Sequence, residues 1–160
     1  MESTKKDWVA SDELVELADL TMYLQRFFLV SLSEHVQKRK ISISQYTLLG
    51  FLSVQDSLNM TTLASLMGHS TPATTGLINR LVEAQLVQRS TSKEDGRVTL
   101  VQITRRGRAV MEEMKLELMQ NLDAIRQQLN PEDQQSWPRI YKVMKESCAQ
   151  RLRSTGHPVD

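Results

Sequence analysis

Between Ser70 and Arg97 the chain sets out short polar and cationic side chains whose chemistry suits contact with a polyanion and its bases. Ser70, Thr71, Thr74 and Thr75 bring hydroxyls, Ala73 a bare methyl, Asn79 an amide that both donates and accepts, and Arg80 a guanidinium. Small and hydroxyl-bearing residues let a helix lie deep in the major groove of a duplex. There Thr meets a thymine methyl or a polar base edge, and Asn pairs with adenine. Further on, Lys93, Asp95 and Arg97 cluster around Gly96. Asp-Gly is a strong hairpin signal, and cations at a hairpin tip suit the phosphate backbone or a narrow minor groove. Plainer roles compete. Threonines also cap and fill helix surfaces, and Asp95 can pair with Arg97 and merely stiffen the tip.

The threonine-rich run needs a helix and the cationic tip needs a hairpin. Thr61 or Thr62 can cap a short helix holding Leu63, Ala64, Leu66 and Met67, which Gly68 ends. Gly68-His69-Ser70 has the length of a helix-turn-helix connection. A second helix starts at Ser70 or Thr71, with Pro72 near its first position. Leu77, Ile78, Leu81 and Val82 form its inward stripe. Residues 86–90 read as a strand and 97–103 as its return, while Met60 offers one short strand ahead of the module. Residues 61–107 thus read as a winged helix-turn-helix.

Apolar helices flank this module. Ser11 can cap a helix with Asp12 and Glu13 in its first turn, ended by Lys38-Arg39-Lys40. Leu14, Leu17, Ala18, Thr21, Leu24 and Phe28 share one face, and Leu20, Phe27 and Leu32 lie off it. Ile43 as a staple residue and Ser44 as a cap precede a second helix, from Gln45 to Val54, with Leu48, Leu49 and Leu52 inward. After the wing, Thr104 caps a long helix with Val110, Met114, Leu118, Leu122, Ile125 and Leu129 in register. Asn130-Pro131-Glu132-Asp133 stops and restarts it, and the last helix carries Trp137, Ile140, Tyr141, Val143, Met144, Cys148 and Leu152. This is more apolar surface than the module needs, which implies a homodimer. The expected fold is mainly α with a small β-hairpin wing. Its single domain, 1–160, embeds a winged helix-turn-helix over 44–104 in a helical dimerisation region over 11–40 and 105–153.

The net charge of +1 is unevenly spread: residues 61–107 carry six basic and three acidic groups, residues 1–34 three basic and seven acidic. The positive excess lies where phosphate contact needs it. One cysteine, Cys148, excludes an internal disulfide and leaves either a buried apolar thiol or a redox site. His35, His69 and His157 lack metal-ligand spacing. There is no nucleophile–base pair, phosphate loop or paired carboxylate, and Glu112 and Glu113 point to different helix faces. No enzyme, cofactor or metal is expected. No apolar run reaches the ~18 residues of a membrane span, and the polar N-terminus lacks a signal core, so a cytoplasmic location is expected.

The hairpin residues Asp95-x-Arg97, Val98-Thr99-Leu100-Val101-Gln102-Ile103-Thr104 and Gly107 resemble the wing signature of the MarR family of bacterial transcriptional regulators. Leu63-Ala64, Gly68, Pro72-Ala73-Thr74 and Asn79-Arg80-Leu81 match its helix-turn-helix pattern, and Leu129-Asn130-Pro131-Glu132-Asp133 its break before the last helix. The resemblance runs in register over residues 12–153. It implies an obligate dimer on a palindromic operator, acting as a repressor released by a small phenolic or aromatic carboxylate. It also places Ser70 to Thr75, Asn79 and Arg80 in the major groove and Arg97 in the minor groove, with Asp95 holding it. The chain departs from the pattern at Gln85, where a glycine is usual after the recognition helix. It also lacks the peroxide sensors' cysteine near the first helix and the metal sensors' histidine and acid clusters. The competing expectation is a winged-helix protein-interaction module without DNA binding.

Overall fold

The computed structural model describes residues 11–154. The polar leader up to Ala10 and the tail from Thr155, with His157, lie outside these residues. The described chain forms α1 (Asp12–Lys38), α2 (Ile43–Val54), β1 (Ser57–Asn59), α3 (Met60–Met67), α4 (Thr71–Glu83), β2 (Val87–Thr91), β3 (Thr99–Ile103), α5 (Arg105–Arg126) and α6 (Pro131–Ser154). None of the described helices is long and apolar enough to cross a membrane. Two compact units divide at Ile43 and Ser44.

The first unit is α1 and the turn that ends it. Ser11 caps it through Oγ, which accepts from the Leu14 N–H at 3.4 Å. Leu14, Leu17, Leu20, Tyr23, Phe27 and Val30 stay exposed, and Val36 is the buried residue of this helix. Lys40 closes the turn at φ 56°, with the Ile41 N–H bonded to the Val36 carbonyl at 3.0 Å.

In the second unit the core gathers Leu48, Leu49 and Leu52 of α2, Leu63 of α3, Ile78 and Leu81 of α4, and Val101 of β3, all fully buried. The sheet is antiparallel in the order β1-β3-β2, with Leu58 and Arg89 on either side of Val101. Alternation along β3 turns Val101 and Ile103 inward. The short strand expected ahead of the module is present as β1, the third strand of the sheet. That strand uses residues 57–59 rather than Met60, because Asn59 ends it and caps α3. The Asn59 Oδ1 accepts from the Thr62 N–H at 2.8 Å, so neither Thr61 nor Thr62 is the cap. The return strand starts at Thr99, two residues later than its sequence pattern suggests.

Gly68 ends α3 at φ 62°, and the His69 N–H bonds back to Ala64 at 3.0 Å. Gln85 repeats this turn after α4 at φ 61°, with the Leu86 N–H on the Leu81 carbonyl at 2.9 Å. Both are six-to-one closures around a left-handed residue. A side chain in that conformation costs about 1–2 kcal/mol. The burial of Leu86, the residue after it, holds Gln85 there. Thr104 then ties α5 to this turn. Its hydroxyl donates to the Gln85 and Leu86 carbonyls at 2.8 and 3.1 Å, and its oxygen accepts from the Gly107 N–H at 3.0 Å. A Cβ on Gly107 would collide with the Leu86 carbonyl oxygen and lie 2.7 Å from Ile103 Cγ1.

Two substitutions at this junction move stability in opposite directions. Gly107→Ala lowers unfolding free energy by about 2–3 kcal/mol, because backbone must shift. Gln85→Gly raises it by up to about 1 kcal/mol by relieving the left-handed strain. Denaturant titration followed by circular dichroism measures both.

Candidate nucleic-acid interface

The N-terminal half of α4 is a capped surface of small residues. Ser70 Oγ accepts from the Ala73 N–H at 3.4 Å, Pro72 sits in the first turn, and Ser70, Thr71 and Ala73 are exposed. Thr75 is half-buried, and its hydroxyl donates to the Thr71 carbonyl at 2.8 Å. It therefore shows the outside a methyl and oxygen lone pairs rather than a free proton. Thr74 does not join this surface. It is fully buried and its hydroxyl donates to the Ser70 carbonyl at 3.1 Å, so it cannot reach a base edge. Its position four residues before Ile78 and seven before Leu81 puts it on the inward stripe. Val82, expected on that stripe, is instead 36% exposed.

Asn79 and Arg80 are exposed on the C-terminal half. Asn79 has a partner that the sequence did not suggest: Arg89 of β2, whose Nη2 donates to Asn79 Oδ1 at 2.7 Å. The available signal was strand alternation, which puts Arg89 on the same side of β2 as buried Val87.

At the wing tip Lys93, Asp95 and Arg97 are all exposed. Ser92 Oγ accepts from the Glu94 and Asp95 N–H groups at 3.2 and 3.4 Å. The Val98 N–H donates to the Asp95 carbonyl at 2.9 Å. Asp95 Oδ1 accepts from the Arg97 backbone N–H at 2.9 Å. Asp95 thus fixes the backbone of Arg97. Among the described residues no side-chain ion pair joins the two, so the guanidinium remains available to a partner.

A cavity of about 340 Å³ opens between α2 and α5, lined by Tyr46, Ser53, Arg108, Met111, Met114 and Lys115 among others. Burial raises the Tyr46 phenol above its ordinary pKa, which keeps it a neutral donor. Arg108 bonds Asp56 at 2.7 Å, and Lys115 lies 4.0 Å from Glu112. Glu112 also lines the cavity, so thioethers and a phenol stand beside two cations and one carboxylate, a lining that suits a small amphiphilic molecule. Cys148 is exposed on α6, not buried as an apolar thiol. Among the described residues no cluster of His, Cys, Asp and Glu could hold a metal ion.

Residues 41–99 match the model of the MarR family. An uncharacterised HTH-type transcriptional regulator of Bacillus subtilis (strain 168), YfiV, is 34% identical over 103 residues. That match spans 62% of this chain and 62% of the relative, less than two thirds of its length. The crystal structure of RV1404 from Mycobacterium tuberculosis aligns with a TM-score of 0.73 at 25% identity, over 87% of this chain and 97% of that one. The S. aureus MepR–DNA complex shares the fold, with a TM-score of 0.65 at 19% identity over 82% and 98% of the two chains.

The burial of Thr74 has a measurable consequence. Thr74→Ala removes a buried methyl and a satisfied hydroxyl, and costs about 1–2 kcal/mol of stability. Thr71→Ala, on the exposed side, stays within about 0.5 kcal/mol of wild type. Parallel urea titrations separate the two.

Proposed function

We propose that the chain is a DNA-binding transcriptional regulator of the MarR family, whose model matches residues 41–99. It acts as a homodimer that represses from a palindromic operator and lets go when a small aromatic anion binds. The observation that carries this reading is the exposed set Ser70, Thr71, Ala73, Asn79 and Arg80 on α4, with an Arg97 guanidinium on a backbone-braced wing tip. Ser70, Thr71, Ala73, Thr75, Asn79 and Arg80 face the major groove. Lys93 lies along phosphates and Arg97 enters the minor groove, where its charge is least screened. Residues 11–40 and 105–153 serve dimerisation. Leu14, Leu17 and Leu20 of α1 are exposed in the protomer, as are Ile140, Val143 and Met144 of α6, and on each helix these are apolar residues that a second copy would bury. The cavity over Tyr46, Arg108 and Lys115 is the seat for the effector, its cations taking the carboxylate and its methionines the ring.

Affinity for duplex DNA falls steeply with salt, and footprints of the two recognition helices lie about one helical turn, ~10 bp, apart. Arg97→Ala weakens binding to specific and random duplexes alike and lowers the salt slope by about one per protomer. Fluorescence anisotropy across a salt series reads this, and unchanged affinity for both duplexes sinks the minor-groove role. If no duplex is retained while pull-down recovers a clean protein partner, the module is an interaction domain instead.

For the effector, benzoate and 4-hydroxybenzoate raise the melting temperature and release DNA, and Arg108→Gln weakens both effects at least fivefold, as loss of a charge-assisted bond requires. A thermal-shift titration showing no difference between Arg108→Gln and wild type removes the cavity from the reading.

A further inference from the structure

We propose that Arg89 is a positioning residue for base reading: its bond to Asn79 fixes which edge of the Asn79 amide α4 presents to DNA. This rests on the reading of α4 as the helix that enters the major groove.

Arg89 lies in the middle of β2, opposite fully buried Val101 of β3. Strand alternation gives it the face of Val87, the side on which β2 packs against α4. At that margin the guanidinium reaches Asn79 Oδ1 at 2.7 Å. Arginine only donates, so the atom it touches must be the amide oxygen, and the orientation of the Asn79 amide is settled by chemistry. The oxygen keeps a second lone pair and the Nδ2 both its protons. What remains free is an acceptor beside a donor, the complement of adenine N6–H and N7. Thr75, one turn earlier, has its hydroxyl proton committed to the Thr71 carbonyl. Asn79 is thus the amide donor on this stretch of the helix.

The contact is poorly placed to serve stability. Both residues are exposed, and the described residues give Arg89 no carboxylate partner. An exposed bond to a neutral amide adds little to folding. It does, however, restrict the two torsions of Asn79 before DNA arrives, so that less freedom is lost on binding. The sheet therefore sets the reading edge of a helix residue, and the effect falls on discrimination at one base pair rather than on overall affinity.

The test starts from a duplex that wild-type protein selects from a randomised library, measured with all its single-base-pair variants. Arg89→Ala flattens the preference at one base pair about tenfold and leaves the salt slope within a few tenths. Arg89→Lys, which also donates to Oδ1, restores most of the preference. In an Asn79→Ala background Arg89→Ala adds nothing further. A uniform loss on every duplex with a salt slope lower by about one makes Arg89 a phosphate contact and overturns the proposal, as does an equal loss in the Asn79→Ala background. A DNA-free readout stands beside these: the Asn79 side-chain amide resonances are ordered in the free protein and average out in Arg89→Ala. Amide order that does not change overturns the proposal as well. If wild-type protein retains no duplex, the regulator reading fails and the base-reading role with it. An ordered amide in that protein would still show the contact intact, which tells the two failures apart.

Discussion

The Thr104 hydroxyl donates its proton to the Gln85 and Leu86 carbonyls and accepts from the Gly107 N–H. Three elements depend on this one oxygen. The carbonyls it satisfies belong to the turn that leaves α4, the N–H it accepts opens α5, and Thr104 itself follows the last residue of β3. The Thr104 backbone N–H adds a bond to the Leu86 carbonyl at 3.0 Å. The approach is so close that position 107 has no room for a Cβ. The direction of α4 relative to the sheet and to the start of α5 is therefore held by close packing rather than by an adjustable hinge. Gln85 carries its left-handed backbone because this junction over-determines it. The Arg106 guanidinium reaches the Gln85 side-chain oxygen at 3.2 Å, a further tie across the turn.

The frame around that junction was legible because its signals are local. Gly68 announces a helix end, Asp-Gly a hairpin tip, and Asn130-Pro131 a restart, each through backbone constraints that residue type alone imposes. What the sequence concealed is tertiary in origin. Nothing in glutamine or lysine favours the left-handed region, yet Gln85 and Lys40 both occupy it, because each is followed by an apolar residue that must be buried: Leu86 and Ile41. Asn59 outcompetes two threonines as the cap of α3, because pairing with Leu100 of β3 fixes where the strand ends and hence where the helix begins. Of the candidate contact set, Thr74 was misjudged because its type suggests a surface. Its spacing with Ile78 and Leu81 already pointed inward. Arg89 was missed because helix-face reasoning does not look across to a strand.

The surface of α4 is selective in what it offers. Two threonine hydroxyls return their protons to backbone carbonyls one turn earlier. This leaves methyls, lone pairs, the Ser70 and Thr71 hydroxyls and the Asn79 amide as its outward uncharged groups, with Arg80 as the adjacent cation. At the wing the order reverses: Ser92 and Asp95 spend their oxygens on backbone N–H groups, and the cations are left outward. Both elements are braced by side-chain-to-backbone bonds rather than by ion pairs among the described residues.

The position of the exposed apolar residues along the chain sets an order of events during synthesis. The fully buried residues, from Leu48 of α2 to Val101 of β3, and the polar face of α4 all precede α6 in the chain. The apolar positions of α6, from Ile140 to Leu152, are translated after that. The residues that form this core are thus translated before the whole of the apolar surface is. Domains form from the N-terminal side as they emerge, which favours this core as the first part to fold. In the proposed dimer, pairing would be the step that withdraws these apolar helix faces from chaperones and proteases.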